Sequence, residues 1–137
     1  MWGFAADTGL CAMRLICSGL FDEYPQLKIV LGHLGEAIPF WLWRIDNMWQ
    51  RTPLAQERKK IPSQYFKDNF AITTSGMLSE PTLLYTVSIL SADNILFAID
   101  YPMESSEEAT QFMQKVPLEH NDKEKIYHVN AERIFSL

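Results

Sequence analysis

The sequence predicts an α/β fold in which three parallel strands alternate with helices. Three short apolar runs rich in β-branched residues are typical of buried parallel strands, and they span residues 27–32, 70–74 and 94–99. Stretches with apolar residues three or four positions apart, typical of helices, lie before, between and after these runs. Strands that alternate with helices pair in parallel through right-handed crossovers. The 137 residues suit one domain, 1–137.

Two helices are predicted on either side of the first strand. Asp7 or Thr8 is a candidate cap for the first helix, which ends at residues 18–19. The second helix spans 36–49 and has Pro39 in its first turn, where the missing N–H costs little. Because apolar residues cover most of its circumference, we expect it to pack on both sides. These residues are Phe40, Trp41, Trp43, Ile45 and Trp49.

The remaining helices are predicted from proline positions and capping signals. Residues 51–60 are charged and read as a solvated loop or short helix, and residues 62–68 read as a short helix. A further helix opens at residues 79–81 and continues to Leu90. Two capping-box pairs predict the starts of the last two helices: Ser105 with Glu108, and Asn121 with Glu124.

Composition and charge exclude several classes of protein. The net charge is −5 and both signs are spread along the chain, so no basic stripe is available for nucleic acid. No apolar run is long enough for a membrane span, and the sequence predicts no signal peptide. Cys11 and Cys17 read as two buried small hydrophobes with free thiols, which predicts a cytoplasmic protein.

Polar side chains follow each of the three predicted strands. His33 follows the first, with Glu36 three residues later, residues 73–75 close the second, and Asp100 closes the third. Active sites of parallel α/β folds lie at this edge, and an ionisable residue there is costly unless paired or metal-bound. Simpler interpretations stay open: His33 bonds a loop backbone, Asp100 caps a turn, Glu36 stabilises a helix N-terminus, and Arg44 is a surface residue.

Several motifs together resemble one enzyme family. They are residues 32–36 (GHLGE), 39–47 (PFWLWRIDN) and 95–105 (ILFAIDYPMES), together with 2–4, 8–9, Arg14 and 18–22 before the first strand, 73–76 after the second, and 130–135 in the last helix. The sequence resembles the amidohydrolase-related decarboxylases, which include the γ-resorcylate, dihydroxybenzoate and salicylate enzymes. The resemblance implies an α/β fold that is the C-terminal portion of a (β/α)8 TIM barrel, with about three strands. The element pattern alone also fits a small open sheet.

The resemblance also implies a role for each candidate residue. Asp100 would be a metal ligand that also handles a proton, and His33 would polarise substrate or shuttle protons beside the metal. Glu36 would orient His33. Arg44 would reach the site of a neighbouring subunit and hold the carboxylate of a small aromatic substrate, which implies a homo-oligomer. The metal would be a divalent ion, zinc or manganese.

The function predicted from this resemblance is non-oxidative decarboxylation of a hydroxylated aromatic acid. The family's first-strand metal ligands and middle-strand histidine have no counterpart, so we expect the chain to begin after them and to hold an incomplete site. Whether it is an enzyme by itself is therefore left open. Alternatives are a hydrolase or hydratase of the same superfamily, an inactive scaffold or oligomerisation module, and an unrelated α/β binding domain. The exact substrate and metal are not predicted.

Overall fold

A three-stranded parallel sheet forms the centre of the protein, in a computed structural model that describes residues 2–137. Strand β1 (Ile29–Leu31) pairs with β2 (Phe70–Thr73), and β2 pairs with β3 (Ile95–Leu96). The order of strands in the sheet therefore follows their order in the chain. Ile72 at the centre of the sheet lies opposite Ile95. The predicted alternation of parallel strands and helices is confirmed.

Helices precede, connect and follow the strands. Before and after β1 lie α1 (Trp2–Ser18), α2 (Leu20–Glu23), the single turn α3 (His33–Glu36), α4 (Ile38–Trp49), α5 (Leu54–Glu57) and α6 (Pro62–Asn69). After β2 lie α7 (Glu80–Leu90) and a 3-10 turn (Ala92–Asn94). After β3 lie α8 (Ser106–Lys115), α9 (His120–Glu124), a π-helical segment (Lys125–Val129) and α10 (Asn130–Phe135).

Two of the predicted helix starts are wrong. Helix α1 already includes Asp7 and Thr8, because half-buried Ala5 continues its packed side towards the N-terminus. Helix α9 begins at His120, so Asn121 is not its cap. In contrast, Ser105 caps α8 as predicted, since its hydroxyl accepts a hydrogen bond of 3.3 Å from the backbone N–H of Glu108.

The outer strands are shorter than the sequence predicts. β2 lies in the middle of the sheet and is buried along its whole length. β1 is an outer strand, and Val30 is 45% exposed. β3 ends after two residues, and beyond it the backbone N–H of Ala98 bonds the hydroxyl of Thr74 at 3.0 Å in place of a carbonyl of β2. The outer edge of β1 has no strand partner within residues 2–137 and is open to pairing. The outer edge of β3 is covered by the π-helical segment, since the backbone N–H of Phe97 bonds the carbonyl of Ile126 at 2.8 Å.

The core lies between the sheet and the helices that connect its strands. Two buried asparagines hold the backbone near the starts of the two outer strands. Before β1, the side-chain amide of Asn69 donates to the carbonyls of Pro25 and Leu27. At the start of β3, the side-chain amide of Asn130 donates to the carbonyls of Ala92 and Ile95. These bonds satisfy carbonyls that would otherwise be buried without partners. The largest fully buried apolar side chains include Ile16, Tyr65, Phe66, Ile72, Leu83, Ile95, Met113 and Ile126.

Two expectations about burial are wrong. Helix α4 packs on one side only, because Phe40, Trp41 and Trp43 are exposed while other apolar residues of the helix face the core. The cysteines are not both buried: Cys11 is exposed and Cys17 is half-buried, and both are free thiols. No helix within residues 2–137 is long and apolar enough to cross a membrane.

Candidate active site

Three ionisable side chains from two distant parts of the sequence meet at the C-terminal edge of the sheet. His33 follows β1 directly, and Asp100 lies four residues after β3. The imidazole Nδ1 of His33 lies 2.6 Å from Oε1 of Glu36, and its Nε2 lies 3.4 Å from Oδ2 of Asp100. The result is a carboxylate–imidazole–carboxylate chain that joins the ends of β1 and β3.

The backbone that carries His33 and Glu36 is a left-handed turn. All five residues from 33 to 37 have positive φ, with values of 48° at His33, 52° at Glu36 and 83° at Gly35. Asp100 also has a positive φ, of 84°. L-residues adopt this conformation only at a cost of about 1–2 kcal/mol each. Strain of this kind clusters at functional sites, where the surrounding packing holds it in place.

Packing around the left-handed turn holds it in that conformation. The side chain of Leu34 is buried in the core, and the backbone N–H of Gly35 bonds the carbonyl of Gly32 at 2.8 Å. A Cβ added at Gly35 would lie 3.1 Å from Pro39. Glycine at position 35 therefore allows both the positive φ and the close approach of α4.

The two carboxylates beside His33 favour the protonated form of its imidazole. Partial burial lowers the pKa of His33. The hydrogen bond and charge of Glu36, and then those of Asp100, raise the pKa by more than burial lowers it, so the net pKa lies above its ordinary value of 6.5. The Glu36 side chain is only 3% exposed, and a buried carboxylate requires a cationic or hydrogen-bonding partner. The imidazolium form of His33 has an N–H for each of the two carboxylates.

Gly76 forms the floor of the site between His33 and Asp100. A Cβ at this position would lie 2.7 Å from Cδ2 of His33 and 3.1 Å from Oδ2 of Asp100. Its φ is +61°, which also favours glycine. The position was visible in the sequence only as a glycine at a strand end, and that signal did not reveal its contact with both site residues.

Replacement of Gly76 by alanine should separate His33 from Asp100. The added methyl group cannot occupy the space held by the imidazole, and the positive φ adds about 1 kcal/mol of strain. We expect a lower melting temperature and a His33–Asp100 separation beyond hydrogen-bonding range in a crystal structure of Gly76→Ala. Gly3→Ala is the matched control, since a Cβ there meets nothing within 4 Å. Unchanged site geometry in Gly76→Ala would contradict the proposed packing.

A cleft opens beside His33. Its volume is about 370 Å³, and its walls include Pro39 and Phe40 of the α4 region and Met77 and Tyr85 from the chain around α7. The Phe4 ring meets the His33 ring edge-on, with centroids 6.4 Å apart. The imidazole is therefore surrounded mainly by apolar and aromatic groups, as is common in pockets for small organic molecules.

Arg44 lies apart from these three residues. It is exposed on α4 and lines an open groove of about 530 Å³ between α1 and α4, together with Trp2, Met13 and Trp41. Within residues 2–137 no hydrogen bond or ion pair joins it to His33, Glu36 or Asp100. Its guanidinium is available to a group outside this part of the chain.

The side chains at this edge of the sheet are of types that bind a divalent cation, but there are too few of them to complete a metal site. Carboxylate oxygen and imidazole nitrogen are ligands that zinc and manganese accept, and the Asp100 side chain is 41% exposed. Glu36 holds the far nitrogen of His33, an arrangement common behind metal-bound histidines. Three or four protein ligands are usual, but residues 2–137 contain no group of three His, Cys, Asp or Glu side chains that could hold an ion.

Comparison with known proteins identifies relatives along the whole chain. The amidohydrolase family matches residues 2–137. The γ-resorcylate decarboxylase of a Rhizobium strain is 42% identical over 138 residues, which cover 99% of this chain and 42% of that protein. The crystal structure of 5-carboxyvanillate decarboxylase from Sphingomonas paucimobilis superposes with a TM-score of 0.92 at 46% identity, over 98% of this chain and 41% of that one.

A third relative was solved with a metal. The dihydroxybenzoic acid decarboxylase of Polaromonas, crystallised with manganese and the inhibitor 2-nitroresorcinol, superposes with a TM-score of 0.92 at 40% identity and covers 99% of this chain and 42% of that one. The chain thus spans about two fifths of the length of the relatives it matches. The resemblance and the fold predicted from the sequence are both confirmed.

Proposed function

This chain belongs to the amidohydrolase family, and from that premise we propose that it carries part of the active site of a metal-dependent, non-oxidative decarboxylase of hydroxylated aromatic acids. The observation that carries the proposal is the Glu36–His33–Asp100 chain at the C-terminal edge of a parallel sheet. Relatives that decarboxylate such acids support the substrate class. Residues 1–137 would form one unit of the barrel, and the two free thiols support a reducing, cytoplasmic location.

Asp100, with His33 beside it, would hold part of the coordination sphere of a divalent ion. The bound ion supplies Lewis-acid polarisation of substrate oxygens. Manganese is supported by the Polaromonas relative, and zinc remains an alternative with the same ligand types. Because Asp100 is the one proposed ligand among these side chains, further ligands would come from residues other than those described, on another segment or another copy.

His33 and Glu36 would manage the proton that decarboxylation requires. In the reaction a proton adds to the ring carbon that bears the carboxylate, and carbon dioxide then leaves while the electron pair of the broken C–C bond returns to the ring. Nε2 of His33 lies 3.4 Å from Oδ2 of Asp100, and through this contact the two side chains would exchange the proton that Asp100 delivers to the substrate. The buried Glu36 carboxylate holds Nδ1 and stabilises the charged imidazole.

Arg44 would bind the carboxylate of a substrate held in a neighbouring subunit. It is exposed and has no acidic partner within residues 2–137, and a guanidinium matches a carboxylate through two parallel hydrogen bonds. Phe40, Trp41 and Trp43 lie exposed on the same helix. An aromatic surface of this kind is typical of a subunit interface, which supports a homo-oligomer with sites shared between subunits.

Mixed oligomers test whether the site is shared. Arg44→Ala should raise KM about 10–100-fold through loss of a charged hydrogen bond, and Asp100→Asn should be inactive. If equal amounts are co-expressed and assemble as dimers, half of the dimers contain both variants and each has one intact site. About a quarter of the wild-type kcat/KM should therefore return. A kcat/KM no greater than the mean of the two separate variants would contradict a shared site.

The proposed reaction is tested by metal removal and reconstitution. The protein is expressed from its own gene, stripped with a chelator, and assayed on γ-resorcylate and 5-carboxyvanillate with manganese, zinc or no metal. Benzoate, which lacks the hydroxyl group, is the matched control substrate. We expect activity on a hydroxylated acid only with metal, and none on benzoate. Hydrolysis of an ester or amide without release of carbon dioxide would instead favour the hydrolase alternative.

A further inference from the structure

We propose that Thr74 is a positioning residue that holds the backbone leading to Asp100 in place. Thr74 directly follows β2 and is fully buried. Its hydroxyl donates a hydrogen bond of 2.8 Å to the carbonyl of Ala98 and accepts one of 3.0 Å from the N–H of the same residue. One side chain thus satisfies both backbone groups of a residue two positions before Asp100. The functional importance of residues 97–100 rests on the proposed role of Asp100 as a metal ligand.

The chain after β3 needs such a contact because the backbone N–H of Ala98 no longer bonds a carbonyl of β2. The backbone N–H of Phe97 faces the outer edge and bonds the carbonyl of Ile126 in the π-helical segment. The backbone N–H of Thr74 still reaches the carbonyl of Leu96 at 3.1 Å, and Gly76 bonds Ile99 at a longer 3.3 Å. Between these two bonds the Thr74 hydroxyl takes the place of the missing ladder hydrogen bonds at Ala98.

The position of Asp100 depends on this backbone more than on its own side-chain contacts. Its carboxylate is 41% exposed, and its one hydrogen bond to a side chain within residues 2–137 is the 3.4 Å contact with His33. Loss of the Thr74 hydroxyl would leave the N–H and carbonyl of the half-buried Ala98 without these partners. The segment 97–100 would then open towards water, and Asp100 would move away from His33.

Three variants separate positioning from general stability. Thr74→Val keeps the shape of the side chain but removes the hydroxyl, and Thr74→Ser retains the hydroxyl. Thr86→Val is the matched control, because Thr86 is also buried and its hydroxyl bonds only the carbonyl of Thr82 within α7. Amide hydrogen exchange, melting temperature and manganese affinity are measured for each variant in the protein expressed from its own gene.

In Thr74→Val the Ala98 amide should exchange about tenfold faster than in the wild type, while the amide of Ile72 in the sheet is unchanged. Manganese affinity should fall about 10–100-fold, as for other residues that support metal ligands. Thr74→Ser should restore both properties, and Thr86→Val should alter neither. Unchanged exchange at Ala98 in Thr74→Val, or equal effects in Thr86→Val, would overturn the inference.

The exchange result does not depend on a bound metal. If the wild type binds no manganese and Thr74→Val still exposes Ala98 selectively, the role of Thr74 as an anchor is supported while the proposed function fails. If the wild type binds manganese and Thr74→Val neither exposes Ala98 nor weakens binding, the proposed function remains and the anchor is wrong. The two proposals therefore fail through different measurements.

Discussion

Replacement of Asp100 by asparagine is expected to remove decarboxylase activity and to weaken manganese binding by more than about 100-fold, beyond the loss typical of supporting residues. Asparagine matches aspartate in shape but has neither its charge nor its ability to accept a proton. The side chain is 41% exposed and bonds only His33 among the described side chains, so the fold should persist. Isothermal titration with manganese and a carbon dioxide assay measure the two effects.

The control for Asp100→Asn is Asp7→Asn, which removes the same charge from an exposed position on α1. It should retain wild-type activity and manganese affinity. If Asp100→Asn binds manganese as tightly as the control does, Asp100 is not a metal ligand. Its contact with His33 would then have only a structural role.

Replacement of His33 by asparagine is expected to reduce kcat by about 10²–10⁴, the range of a proton-transfer group. Glu36→Gln should reduce it by about 10–100-fold, because Glu36 acts through the orientation and charge of His33. If so, the double variant should be no slower than His33→Asn alone, since residues that act as a unit are not additive. Steady-state kinetics of the three variants complete the cycle.

His128→Asn is a demanding control for this cycle. The imidazole of His128 also lies between two carboxylates, 2.9 Å from Glu132 and 3.2 Å from Glu124. It is exposed near the end of the chain and lies at no strand end, so its loss should leave kcat unchanged. If His33→Asn and Glu36→Gln instead reduce kcat by independent factors that multiply in the double variant, Glu36 does not act through His33 and the proposal is contradicted.

The sequence predicted the fold and the place of the site because both depend on local patterns. Apolar runs separated by helical spacing predicted the parallel sheet, whose C-terminal edge follows from chain direction. His33 and Asp100 each follow such a run, so their approach could be expected. The 3.4 Å contact between His33 and Asp100 and the burial of Glu36 are consistent with that expectation.

Features that depend on tertiary packing were not predictable in this way. The left-handed turn contains four residues with side chains, and histidine is the one type among them that is enriched at positive φ. The anchoring bonds of Thr74 join residues 24 positions apart. Burial of one side only of α4 depends on which surfaces meet it, and an apolar circumference does not specify them.

The proposed decarboxylation is tested most directly by its products in heavy water. The protein is incubated with manganese and γ-resorcylate in D₂O, and carbon dioxide and resorcinol are quantified by mass spectrometry. We predict equal amounts of the two, with one deuterium at the ring carbon that carried the carboxylate, and none of either after chelation of the metal. A product that retains the carboxylate, or the same yield without metal, would contradict a metal-dependent decarboxylase.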